Sequence, residues 1–220
     1  CAGGKKGGAM KKRLYSIVFM FVLTFVFAAV VSAVKVHNEE RIQINQQVKL
    51  QRVILKVLGV PVDEKAPNRV VIQAFERRVK AIEVKQQTLY VGYGEGGKQI
   101  TGYAFPVGGA GFWGPVYGMV SVDPEASRIM GIAFYRHSET PGLGARITET
   151  WFTKQFAGLP IFPVEGDKKI FFLKPAGPGK GPNELDAITG ATGTSRAVEA
   201  FVNRDLDRFL REMWKQVKKG

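Results

Sequence analysis

From Leu14 to Val34 the chain reads LYSIVFMFVLTFVFAAVVSAV, 21 residues without a charge. An α-helix of that length rises about 31 Å, close to the ~30 Å hydrocarbon core of a bilayer. The run predicts one membrane-spanning helix over 14–35. A secretory signal peptide is the competing reading, with Val31-Ser32-Ala33 as its cleavage site. The apolar stretch is longer than the ~7–15 residues usual for such a peptide, which favours the anchor. Lys5, Lys6, Lys11, Lys12 and Arg13 precede the span with no acid among them. Lys35, Arg41, Lys49 and Arg52 follow it, diluted by Glu39 and Glu40. The positive-inside bias therefore predicts a basic cytoplasmic segment over 1–13, with everything after Lys35 outside. Met10-Lys11-Lys12-Arg13 resembles a natural start, and no function is built on Cys1.

Charge and cysteine content narrow the chemistry. Lys and Arg number 32 against 19 Asp and Glu, a formal charge of +13. Five of those cations flank the span, where anionic lipid attracts them. No recognition motif accompanies the rest, so no nucleic acid is expected as a partner. One cysteine excludes an internal disulfide framework and sites with several Cys ligands. His37 and His137 lie far apart, so no metal is expected. Redox chemistry, if present, must come from an organic cofactor or from a partner.

The remaining chain divides into a stalk over 36–61 and a folded domain over 62–220. Ile42, Val48, Ile54, Leu55 and Leu58 recur at helical spacing, and Gly59 and Pro61 stop that helix. From about residue 70 the pattern turns to short β-like runs: Val79–Val84, Thr88–Gly92, Ile100–Phe105, Tyr117–Val122 and Ile129–Tyr135. Asp123-Pro124-Glu125 reads as a hairpin turn. Residues 147–157 read as a helix, Lys169–Leu173 as a strand and Pro175–Pro182 as a loop. A stripe from Ala197 to Val217 marks a long terminal helix. The expected class is α+β, an antiparallel sheet with flanking helices behind one N-terminal span.

Two segments look unlike scaffolding. Ser138-Glu139-Thr140-Pro141-Gly142-Leu143-Gly144-Ala145 leaves a strand near His137 and leads towards a helix. Its glycines allow backbone to approach a flat ligand closely, but alone the signal is weak, because a Pro-Gly turn between a strand and a helix is common. Asp186-Ala187-Ile188-Thr189-Gly190-Ala191-Thr192-Gly193-Thr194-Ser195-Arg196 stands at the mouth of the last helix. Unpaired N–H groups and a partial positive charge there favour a phosphate. A cap at Thr194 or Ser195, with the helix starting near Ser195, explains one hydroxyl but not the run of small residues before it.

Together the segments resemble the family of FMN-binding subunits found in the Rnf complex and in the sodium-translocating NADH:quinone oxidoreductase. That family's [S/T]-G-A-[T/S]-x-T motif is matched by Thr189-Gly190-Ala191-Thr192-Gly193-Thr194, and its E-T-P-G-L-G segment by Glu139–Gly144. Gly111-Phe112-Trp113-Gly114 resembles a segment of the quinone-reductase member. The resemblance covers about 10–215.

The resemblance implies an extracytoplasmic FMN-binding domain carrying FMN as a phosphoester on Thr194, attached by a separate flavin transferase. It points to Thr192, Thr189, Gly190, Ala191, Ser195, Glu139, Thr140, Gly142, Leu143, Gly144 and Trp113 as further cofactor-binding residues. Thr192 is expected to orient the phosphate, Leu143 and Gly144 to lie on the ring, and Glu139 to hold its loop through backbone N–H groups. Arg196 reads equally as a phosphate ligand and as a surface residue, and Trp113 as ring contact or core. No catalytic acid or base is expected.

The implied function is a relay of electrons in an Rnf-type ferredoxin:NAD+ oxidoreductase of a bacterial or archaeal cytoplasmic membrane, inactive alone and docked by its helix against partner membrane and redox subunits. The quinone-reductase complex is the alternative. A stand-alone membrane-anchored flavoprotein and a non-enzymatic binding module are further readings.

Overall fold

The computed structural model describes residues 6–162, 169–177, 181 and 183–218. Cys1 and part of the 175–182 loop lie outside them. The first helix, α1, runs Lys6–Val57, and two compact units divide within it between Gln47 and Val48. In the first unit, Arg13–Glu39 is long and apolar enough to cross a membrane, and its apolar side chains are exposed along the run.

The second unit, 48–220, holds the folded domain. The end of α1 is followed by α2 (Asn68–Arg78) and five strands: β1 (Val79–Val84), β2 (Gln87–Tyr93), β3 (Ile100–Ala110), β4 (Pro115–Val122) and β5 (Ile129–Arg136). They pair antiparallel in the order β1-β2-β3-β4-β5, a meander built from successive hairpins. A 3₁₀ turn (Gly144–Thr148) and α3 (Thr150–Lys154) follow, then β6 (Phe172–Lys174) and β7 (Glu184–Asp186), which pair in parallel. Helix α4 (Thr192–Arg208) continues through a π-helical turn (Phe209–Trp214) into α5 (Lys215–Val217).

Period-two alternation gives the sheet two buried faces. Phe105, Val107, Val120 and Phe134 belong to one core with Val198, Phe201, Val202 and Leu206 of α4. Ala104 and Met119 belong to another with Ile54 and Leu55 at the end of α1, Leu58 just after it and Val71 of α2. Helices therefore cover both faces, and the expected α+β class with an antiparallel sheet holds. The first helix ends at Val57, just ahead of Gly59, as the Gly59/Pro61 stop predicts.

Three local expectations are corrected. Residues 68–78 are helix, not the start of the β-like region: Pro67 opens the helix, Arg77 and Arg78 occupy its last turn, and Val71 buries its inner side. Strands β3 and β4 extend to Ala110 and Pro115, beyond the expected limits of Phe105 and Tyr117. The two strands pair through to Ala110 and Pro115, and α4 takes the edge of β3 beyond β2: the Gly108 N–H donates to Asp205 Oδ2 at 3.0 Å, and the Gly108 carbonyl accepts from Arg204 at 2.5 Å. The strand expected over Lys169–Leu173 shrinks to Phe172–Lys174. Ahead of it, the N–H groups of Ile170 and Phe171 donate to Asn203 Oδ1 at 2.7 and 3.2 Å, so a side chain of α4 replaces a neighbouring strand.

Candidate functional site

Three chain segments meet at one end of the sheet. The β3–β4 hairpin turns through Gly111-Phe112-Trp113-Gly114, closed by a Gly111 N–H to Gly114 carbonyl bond of 2.8 Å. The loop after β5 carries Glu139–Gly144, folded on itself by bonds from the Leu143 and Ala145 N–H groups to the Thr140 carbonyl, each 3.1 Å. The third segment, Gly190–Thr194, enters α4. Between them lies a cavity of about 390 Å³ lined by Phe112, Trp113, Glu139, Thr140, Leu143, Gly144, Gly190, Ala191, Thr192, Gly193 and Thr194. The volume is within the range of small-ligand pockets, ~300–1,000 Å³.

Glu139 is the organising side chain. It is 5% exposed. Its Oε1 accepts the Phe112 N–H at 2.8 Å and the Trp113 N–H at 3.1 Å. Its Oε2 accepts the Thr194 hydroxyl at 2.5 Å. The expectation that Glu139 bonds backbone N–H groups is met, but the amides belong to the β3–β4 tip rather than to its own loop. His137 Nδ1 accepts the Glu139 N–H at 3.3 Å, fixing the chain where β5 ends.

Helix α4 begins three residues earlier than expected. Its N-cap is Ala191, and no side chain caps it. The first bond at its mouth runs from the Ser195 N–H to the Ala191 carbonyl, 3.0 Å. The N–H groups of Thr192, Gly193 and Thr194 precede that bond, the part of a helix where donors have no partner in their own helix. The cap expected at Thr194 or Ser195 is therefore absent. Thr194 lies in the first turn with its hydroxyl on Glu139. Ser195 faces inward, where its Oγ accepts the Ile188 N–H and donates to the Ala191 carbonyl, both at 3.0 Å.

Two glycines make this packing possible. Gly190 has φ of +80°, in the region that side chains avoid, which lets the chain reverse into the helix. A Cβ on Gly144 would collide with the Thr194 hydroxyl and the Glu139 carboxylate.

Of the sequence-predicted residues, Thr194, Thr192, Gly190, Ala191, Glu139, Thr140, Leu143, Gly144 and Trp113 line the cavity. Thr189 and Arg196 are exposed and do not line it; Gly142 sits at the outer corner of its turn, and Ser195 points into the core. Trp113 is 67% exposed, which removes the reading of it as core. Phe112 and Gly193 line the cavity as well, although sequence reasoning passed over both. Phe112 had a signal, its place beside Trp113 in the same short turn.

The arrangement fits FMN. The uncapped first turn of a 17-residue helix suits the phosphate, and Leu143, Phe112 and Trp113 offer apolar surface to a ring. A larger cavity, about 520 Å³, lies beside Lys49, Arg52 and Lys56. Two of those cations are already engaged, Arg52 by the carbonyls of Asp63 and Ala66 and Lys56 by Glu64.

Residues 111–207 match the family described as FMN-binding domain. Over that stretch, under half of its length, the chain is similar to FMN-binding domains. The match begins at the aromatic turn and takes in both loops and nearly all of α4. Among its relatives is the NqrC subunit of the Na(+)-translocating NADH-quinone reductase of Yersinia pestis, 33% identical over 132 residues, 60% of this chain and 47% of the relative. The same subunit from Neisseria meningitidis serogroup B is 36% identical over 115 residues, 52% and 44% of the two chains. The chain thus matches less than half the length of these curated relatives.

Two solved structures share this fold. NqrC of the Na(+)-translocating NADH-quinone reductase from Parabacteroides distasonis has a TM-score of 0.65 at 26% identity, covering 77% of this chain and 93% of that one. NqrC of Shewanella oneidensis has a TM-score of 0.65 at 22% identity, covering 78% and 97%. These relatives favour the quinone-reductase alternative over the Rnf-type expectation.

Proposed function

We propose that the chain is a single-pass membrane flavin carrier, with FMN attached by a phosphoester to Thr194, that passes electrons within a complex of the Na+-translocating NADH:quinone reductase type. The observation that carries this reading is the Thr194 hydroxyl. It stands in the cavity, in the first turn of a helix whose N–H donors have no side-chain cap. The sequence motif supports the attachment, and the names of the relatives support the type of complex. The Rnf-type complex is the second reading, supported by the shared motif alone.

FMN bound there would supply one- and two-electron transfer. The protein's part is to hold it. The N–H groups of Thr192, Gly193 and Thr194, with the helix dipole, stabilise the phosphate charge. Leu143 and the Phe112–Trp113 pair provide apolar surface on which the ring would rest. An ester bond prevents loss of the cofactor, which suits a carrier exposed outside the membrane. No side chain is assigned to proton transfer.

Arg13–Glu39 serves in this reading as the anchor, with the basic segment before it in the cytoplasm and the folded domain outside. A flavin transferase completes the domain, membrane and redox subunits of the complex are the partners, and the chain alone turns over no substrate. The test is the mass of the full chain after co-expression with a flavin transferase. The reading expects one added FMN ester, on the peptide containing Thr194. An unchanged mass, with the transferase active on a control substrate, overturns it.

A further inference from the structure

One carboxylate in the cavity wall joins three segments, more than holding FMN requires. Glu139 Oε1 takes the amides of Phe112 and Trp113, while Oε2 takes the hydroxyl of Thr194. The hairpin tip is thereby tied to the first turn of α4. The ring of Phe112 lies so close to Gly193 that a Cβ there would meet it. Phe112 and Trp113 form an edge-to-face pair, centroids 5.3 Å apart at 87°. They are 62% and 67% exposed, whereas Thr194 is 3% exposed. The hydroxyl offered for esterification is thus buried in the cavity wall and engaged by Glu139.

We infer that Glu139 is a positioning residue, a latch that ties the Gly111–Gly114 turn to the Thr194 hydroxyl, so that the chemical state of that hydroxyl sets where the aromatic turn lies. The physical argument is one of hydrogen count. A threonine hydroxyl has a single hydrogen, and here it goes to Oε2. Without it, a buried carboxylate oxygen loses its charge-assisted partner, and the closed arrangement is destabilised. An ester on Oγ1 has no hydrogen to give, and it places a phosphate anion beside the carboxylate, where like charges repel. This last step rests on the proposed flavin attachment.

The latched geometry therefore belongs to the unloaded chain. Loading opens the latch, and the exposed aromatic pair presents a different surface before and after. Esterification likewise requires the Thr194 hydroxyl to leave Glu139, so Glu139 sets how readily the hydroxyl reacts.

Hydrogen exchange on the full chain in detergent, prepared without a flavin transferase, tests the latch. The readout is the peptide spanning Gly111–Gly114. Thr194→Val keeps the shape and removes the hydroxyl, and it is expected to speed exchange at the Phe112 and Trp113 amides about tenfold or more, with the rest of β3 and β4 unchanged. Thr194→Ser restores wild-type exchange. Thr194→Asp sets an anion beside Glu139 and exceeds Thr194→Val. Wild-type exchange in Thr194→Val overturns the latch, and so does wild-type exchange in Thr194→Asp. Because no flavin is present, a failure of the attachment reading leaves these outcomes readable.

Discussion

Asp123 shows how a single side chain sets a hairpin. Burial raises its carboxyl pKa, but bonds from the Ser127 hydroxyl, the Ser127 and Arg128 amides and the nearby Arg128 charge outweigh burial and hold it below the usual carboxylate range. A carboxylate with a lowered folded pKa stabilises the fold above its unfolded value, about 4, and that contribution disappears as pH falls through the folded value. Asp123→Asn is expected to lower thermal stability at pH 7, with the gap to wild type closing in that acid window. Melting curves across pH 2–7 check it; a gap that persists at the acid end contradicts it. Asn203 is the second such residue. Its side chain satisfies the N–H of Ile170, the N–H and carbonyl of Phe171, and the Glu199 carbonyl. Asn203→Leu strands those buried groups and is expected to cost about 2–4 kcal/mol in denaturant unfolding.

At the scale of elements, strands and helices differed in how far they could be read. The five strands of the meander follow from β-branched and aromatic runs separated by turn residues, and Val79–Val84 matches its expected limits. The ends of β3 and β4 do not, because Pro106, Gly108 and Gly109 disfavour a strand locally. Asp205 and Arg204 of α4 satisfy the β3 edge that β2 leaves open, from almost 100 positions away in sequence. Helix α2 is obscured by Val70-Val71-Ile72, whose branched side chains read as strand until burial of Val71 and the opening at Pro67 decide otherwise. At the candidate site, the threonine run and the Glu139–Gly144 loop were legible. The meeting of Glu139 with both Thr194 and the aromatic turn was not, since it joins positions 55 and 27 apart.

For the molecule as a whole, the two units pose separate problems. Residues 48–220 bury their own core on both faces of a sheet, whereas Arg13–Glu39 leaves its apolar side chains exposed. A bilayer would cover them. Leu23→Arg with Val26→Arg is expected to cost about 2.5–3.5 kcal/mol per residue at mid-helix, and to release the chain from the carbonate-resistant membrane fraction. Retention of the double variant in that fraction contradicts the anchor. For the folded unit, the decisive measurement is flavin fluorescence of the full chain in a denaturing gel, after co-expression with a flavin transferase. Attachment at Thr194 predicts a bright wild-type band, a weaker Thr192→Val band and a dark Thr194→Val band. A bright Thr194→Val band, or a dark wild-type band beside a bright control substrate, contradicts it.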